Sequence, residues 1–240
     1  MRTRNTLFNM KKNQICYLCG INPANSADHV PPKSLFPKNA QQKGHKLPAC
    51  NKCNNLLHLD EEYIRDRFSI AGHNETAREV FQQGTRRSYL RPYEMLKSVT
   101  KLDLINRDTV SMTIKSPAGI HIGNATGIKI DSKRVDKVSV KIVKGLYYHY
   151  FGERIPNNYS FDVYFDPPDW LPNLLGKPSP LIGRFDEVFS YKGIVTQRDQ
   201  STGIWWLSFY KSLGLIVIVE NPTLAKEIKA QRKEEKNAQK

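Results

Sequence analysis

The sequence predicts an α+β protein, with a small metal-pinned N-terminal part, helices after it, and a larger C-terminal part built on a mostly antiparallel sheet. Three observations predict it. All four cysteines fall in the first quarter as two C-x-x-C pairs, Cys16/Cys19 and Cys50/Cys53. Apolar residues between Asp60 and Leu96 recur at three- and four-residue spacing. From about residue 101 the texture changes to short alternating or aromatic-rich runs separated by Gly and Asn. The expected division is 1–100, then 101–220, then a basic terminal helix or tail over 221–240.

Two C-x-x-C pairs in one short stretch give four thiolates at tight knuckles, the donor set of a closed tetrahedral zinc site. Free thiols or two disulfides are the alternatives, and a reducing compartment disfavours the disulfides. A closed sulfur site has no open coordination position, so this zinc is expected to hold the fold and do no chemistry. Gly20 and Asn54, which follow the two pairs, tolerate unusual backbone angles.

Chemistry must then come from the flanking residues. Asp28 and His29 are adjacent, ahead of Pro31, Pro32 and Lys33. Inside a strand they point to opposite faces; at a strand end they can converge on one atom. After the second pair, Asn54 and His58 stand one turn apart if a helix starts there. Asp28, Asn54 and His58 are the oxygen and imidazole donors that suit Mg²⁺ or Mn²⁺, and His29 is left to take a proton from water. Each residue also has a plainer role: Asp28 capping a turn, His29 and His58 packed in place, Asn54 serving only the knuckle.

The string C-x-x-C, Asp-His, C-x-x-C-Asn resembles the zinc-containing HNH (ββα-metal) endonucleases of the endonuclease VII type. The segment from Asp28 to Pro37, with Asp60-Glu61-Glu62-Tyr63 downstream, is similar to bacterial HNH proteins. The resemblance covers about residues 14 to 70. It implies a two-stranded hairpin and a helix pinned by zinc. It also implies Asp28 and Asn54 as ligands of a catalytic Mg²⁺ or Mn²⁺, and His29 as general base. Cleavage would leave a 5′-phosphate. One departure stands out: His45 occupies the position where many members carry Asn, and it either supports the loop or approaches the phosphate.

Charge agrees in kind. The chain has 240 residues, with 37 Lys+Arg against 23 Asp+Glu, a net charge of +14. Such an excess attracts polyanions, nucleic acid before acidic lipid. Lys33 and the Arg86, Arg87, Arg91 cluster around Tyr89 are candidate backbone contacts. DNA is favoured over RNA, and a protein partner on the C-terminal part stays open. No apolar run reaches the ~18 residues of a membrane span, and no apolar stretch follows the basic N-terminus, so a cytoplasmic protein is expected. A zinc-knuckle binding or adaptor protein without catalysis is the rival reading, and a degenerate nuclease that binds but does not cut is a third.

In the helical stretch, Asp60 is expected to cap one helix that Gly72 ends. Asn74 is expected to cap a second that runs to Gly84. Later elements are expected at 109–114, 127–130, 159–165, 187–196, 205–210 and 213–219 as strands. Over 134–151 Val138, Val140 and Ile142 alternate like a strand while Val135, Val138, Ile142 and Leu146 share a helix face, and the length and the absence of a breaker before Gly145 make a helix the expectation. The aromatic cluster at Tyr147–Tyr150 reads as core.

Overall fold

The computed structural model describes residues 14–41, 43–89, 101–165 and 179–223. Residues 90–100, Arg91 among them, and the expected 221–240 tail beyond Thr223 lie outside the described residues.

The order of elements begins with a hairpin, β1 (Ser26–Val30) and β2 (His45–Ala49), paired antiparallel with Asp28 opposite Leu47 and His29 opposite Lys46. Between them a single 3₁₀ turn spans Lys33–Leu35. Gly44 is at φ +82°, and a Cβ there would lie 2.7 Å from the Val30 carbonyl oxygen. Only glycine permits so close an approach of this loop to the end of β1. Helix α1 (Asn51–Leu56) follows at once, then α2 (His58–Ala71) and α3 (Glu75–Val80).

Two of the helix expectations need correction here. Asp60 does not cap α2. The helix starts two residues earlier, after a break at Leu57, and Asp60 sits in its first turn, ion-paired to Arg134 at 2.6 Å. The second helix does not stop at Gly84: the chain continues through a π turn, Phe81–Thr85, into further helix over 86–89. Gly72 does end α2, and the Asn74 side chain accepts from the Ala77 N–H at 2.8 Å as an N-cap should.

Helix α4 (Lys101–Asp108) leads into a second hairpin, β3 (Thr109–Lys115) with β4 (His121–Ile128). Of the strand expected at 127–130 only Gly127 and Ile128 belong to one, as the end of β4, which begins beyond the turn at Gly119. Helix α5 (Ser132–Phe151) has the expected buried face of Val135, Val138, Ile142 and Leu146. It starts where the Asp131 carboxylate caps the Lys133 N–H, and ends at Gly152 in the left-handed region.

The largest sheet is antiparallel throughout, in the order β5-β9-β8-β7-β6. Its strands are β5 (Ser160–Tyr164), β6 (Leu181–Phe185), β7 (Phe189–Val195), β8 (Gly203–Phe209) and β9 (Leu213–Glu220). The edge strand β6 was not anticipated. It is five residues long, with Gly183 at its centre, where a Cβ would strike the Tyr191 hydroxyl at 2.4 Å.

The whole is α+β with antiparallel sheets, as the sequence predicts. One hydrophobic cluster runs from Cys16, Val30 and Leu47 through Ile64, Phe68 and the face of α5 to Trp205, Leu207 and Val217. Helix α5 is its hub. A Cβ on Gly145 would lie 2.6 Å from a Val30 methyl and 3.1 Å from a Leu47 methyl, so the helix backbone lies directly against the first hairpin. None of the described helices is long and apolar enough to cross a membrane.

Candidate functional site

The four cysteines come together. Their sulfurs all lie within 4.8 Å of one another, close to the ~3.8 Å edge of a tetrahedron with ~2.3 Å metal–sulfur bonds. The first knuckle turns at Gly20, φ +65°, whose N–H donates to the Cys16 carbonyl at 2.8 Å. The Arg154 guanidinium covers it, donating to the carbonyls of Tyr17 and Leu18 at 3.0 and 2.9 Å. In the second, Cys50 caps α1, its sulfur accepting from the Cys53 N–H at 3.4 Å. Asn54 is helical, so the left-handed geometry considered for it is not needed.

The thiols are not alike. Backbone N–H groups near Asn22 hold Cys19 down at about 6, and the Cys53 N–H lowers Cys50. Burial raises Cys16 and Cys53. Among the described residues this is the one group of three or more His, Cys, Asp or Glu ligands gathered closely enough for a metal. It is a site that could bind zinc.

Asp28 and His29 lie within β1, and the strand turns them to opposite faces. Asp28 faces the core and is 4% exposed. Both its oxygens are engaged: Tyr17 donates its hydroxyl to Oδ2 at 2.7 Å, and the Lys141 ammonium lies 2.9 Å from each. Lys141, 2% exposed on α5, also donates to Glu61 of α2 at 2.5 Å. Burial works against its positive charge, but the two carboxylates outweigh burial and hold its pKa above the ordinary lysine value. Burial raises Glu61, against the pull of the same ammonium. Tyr17 is pushed well up by burial and by the Asp28 charge.

His29 is half-buried on the outer face, between the charges of Lys33 and Lys46, and makes no hydrogen bond among the described residues. Burial first, then the two lysines, lower its pKa, so the imidazole is neutral at neutral pH with a free lone pair. Asn54, on α1, donates to Ser26 Oγ at 3.2 Å and to the Ala27 carbonyl at 3.5 Å. Ser26 and Asp28 share a face of β1, so the structure places Asn54 on the Asp28 side and His29 on the other.

His58 does not join them. The break at Leu57 takes it out of register with Asn54, and its Nδ1 instead meets the Asn55 carbonyl at 2.8 Å on an exposed surface. His45 is half-buried against the C-terminal sheet. It stacks on His149 with ring centroids 3.6 Å apart and lies 3.2 Å from the Tyr191 hydroxyl. Burial, then His149, pushes it down to about 4. Lys33, Arg86 and Arg87 are exposed.

Sequence reasoning missed Lys141, Glu61 and Tyr17. Tyr17 lies inside the first C-x-x-C pair and Glu61 inside the quoted Asp-Glu-Glu-Tyr string, but nothing near them names Lys141, which is 113 residues from Asp28. Comparison with models of protein families, with curated proteins and with solved structures finds no match to this chain.

Proposed function

We propose that this protein is a nucleic-acid phosphodiester hydrolase of the HNH kind, with zinc on Cys16, Cys19, Cys50 and Cys53 and with His29 as general base. The observation that carries the reading is the pairing of a four-sulfur clamp with an unengaged, neutral imidazole on the hairpin it pins. The clamp ties the loop ahead of β1 to the start of α1, directly after β2, and so supports the hairpin that carries His29, as a catalytic base requires. Lys33 and Lys46 flank the imidazole. They attract the phosphate and stabilise the charge that builds on it, while His29 deprotonates the attacking water; its oxygen bonds to phosphorus as the bond to the 3′ oxygen breaks, and solvent protonates that leaving oxygen. DNA remains the favoured substrate.

The resemblance also implies Mg²⁺ or Mn²⁺ on Asp28 and Asn54. The residues do not fit a dication in this arrangement, because Asp28 is buried and already neutralised by an ammonium shared with Glu61.

The locked Asp28 specifically favours one rival, a zinc-pinned protein that binds nucleic acid without cutting it. A plasmid-nicking assay on the zinc-loaded protein, with and without Mn²⁺, separates the two. On the hydrolase reading, His29→Ala retains fold and zinc but loses ~10²–10⁴ of the cleavage rate. Equal cleavage by parent and variant overturns it, and binding by both without cleavage by either establishes the rival.

A further inference from the structure

A cavity of about 360 Å³ opens between the 3₁₀ turn, the loop before Gly44, α2 and the π turn. It is lined by Lys33, Ser34, Lys38, Lys43, Gln83 and Gly84, with Phe36, Val80 and the Arg65 side chain as walls. Three features set it apart from ordinary basic surface.

Charge comes first. Lys33, Lys38 and Lys43 are without a carboxylate partner among the described residues, whereas the Arg65 charge is met by Asp66 at 2.5 Å and Glu62 at 3.3 Å. The cavity therefore carries three ammonium groups with no carboxylate beside them among the described residues, a charge that an anion from outside would balance. Second, the hydroxyl oxygen of Ser34 is buried with no hydrogen-bond partner, which is costly unless something supplies one.

The third feature is the wall. Gln83 and Gly84 lie in the π turn Phe81–Thr85, a wound-out segment of helix that tends to occur at functional sites. The turn directs Gln83 to the Lys38 N–H, 2.8 Å away, fixing the lysine loop from the far side. Lys43 in turn donates to the Lys38 carbonyl at 2.5 Å. Gly84 leaves the space over Arg65 unfilled: a Cβ there would make only ordinary contact, 3.5 Å from Cδ.

We propose that this cavity is a binding site for one phosphate-bearing nucleotide of a polynucleotide strand. The three ammonium groups take the phosphate, the Ser34 hydroxyl donates to it, and the apolar walls receive the sugar. Its volume is in the range of sites for organic ligands, larger than a bare phosphate requires. Lys33 belongs both to this cavity and to the charges around His29. The bound nucleotide is thus a near neighbour of the bond to be cut. The proposal rests on the nucleic-acid reading above and specifies where the strand is gripped.

The test is fluorescence anisotropy with a labelled single-stranded DNA oligonucleotide and with a duplex, using the full zinc-loaded chain across a salt series. Neutralising Lys38 and Lys43 together (Lys38→Gln with Lys43→Gln) is expected to weaken binding about tenfold at moderate salt and to flatten the salt dependence by at most about one phosphate contact. Neutralising Lys115 and Lys129, exposed lysines distant in sequence, makes the same change in net charge and is expected to have a much smaller effect. Gly84→Val, which changes no charge, is expected to weaken binding by filling the cavity. Equal losses from the two lysine pairs, or unchanged binding in the Lys38/Lys43 and Gly84 variants, overturn the site while leaving the nucleic-acid reading intact. A parent that binds no oligonucleotide overturns both. Tight binding of adenosine monophosphate without oligonucleotide binding also overturns it, in favour of a small-molecule site.

Discussion

Lys141 is the most consequential single residue. It is buried between two carboxylates, and removing it leaves both in a low-dielectric interior with Tyr17 as the remaining donor to Asp28. Breaking one partner of such a cluster typically costs ~3–5 kcal/mol. Lys141→Met is therefore expected to lower the urea midpoint sharply, and Lys141→Met with Glu61→Gln to recover part of the loss. His29 yields a pH expectation. A general base works only when unprotonated, and burial and two lysines hold its pKa below the ordinary histidine value. The cleavage rate should hold as pH falls to the usual histidine range and decline only below it, and Lys46→Gln should shift the decline to higher pH. His45 bears on stability instead. Its pKa is about 4 in the fold against ~6.5 unfolded, so the unfolded chain takes up the proton first. The stabilisation is complete above pH ~6.5 and is lost as pH falls towards 4. Urea midpoints measured between pH 7 and 4 should fall less steeply for His45→Asn than for the parent.

At the scale of elements, what was legible depended on how local the signal was. The cysteine pairs were readable because metal-ligand spacing is a property of a few adjacent residues. The α5 face was readable because the stretch is too long for a strand and has no breaker before Gly145, and Gly72 and Asn74 marked their helix ends by turn and cap chemistry. Where position depends on the partner, the sequence is silent. Asp28 looks like a free ligand until α5 brings Lys141 to it. Nothing local signals the π turn, since Gly84 reads as a stop. Edge strand β6 is too short, and its Gly183 exists to accommodate Tyr191 on the neighbouring strand. Gly145 carries the corresponding expectation. A Cβ there meets the side chains of Val30 and Leu47 inside van der Waals distance, so the helix-propensity gain of Gly145→Ala is outweighed. A net loss of ~1–3 kcal/mol is expected in denaturant unfolding, and Val30→Ala should relieve part of the clash in the double variant.

For the whole molecule, the question is whether the clamp supports only its own hairpin or the entire chain. A division near residue 100 would let the N-terminal part unfold alone. The core argues otherwise: α5 lies against the first hairpin through Gly145, ties into it through the Lys141–Asp28 pair, and packs on the large sheet through the same cluster. Across this contact Tyr210 donates its hydroxyl to the Leu35 carbonyl at 2.8 Å, and Arg154 caps the first knuckle from beyond the end of α5. These links are buried or half-buried and connect the two ends of the sequence. If zinc occupies the four-cysteine site, stripping it leaves four sulfurs within 4.8 Å held only by the hydrogen bonds of their knuckles. The apo hairpin then loosens, and with it the seat of α5. The zinc-loaded protein should therefore unfold in one cooperative transition, with far-ultraviolet dichroism (helix) and tryptophan fluorescence, to which Trp205 and Trp206 on β8 contribute two of the three indoles, changing together. A chelator should lower that single midpoint as a whole. A chelated protein in which the tryptophan signal keeps its original midpoint while helical signal is lost would show instead that the sheet stands on its own.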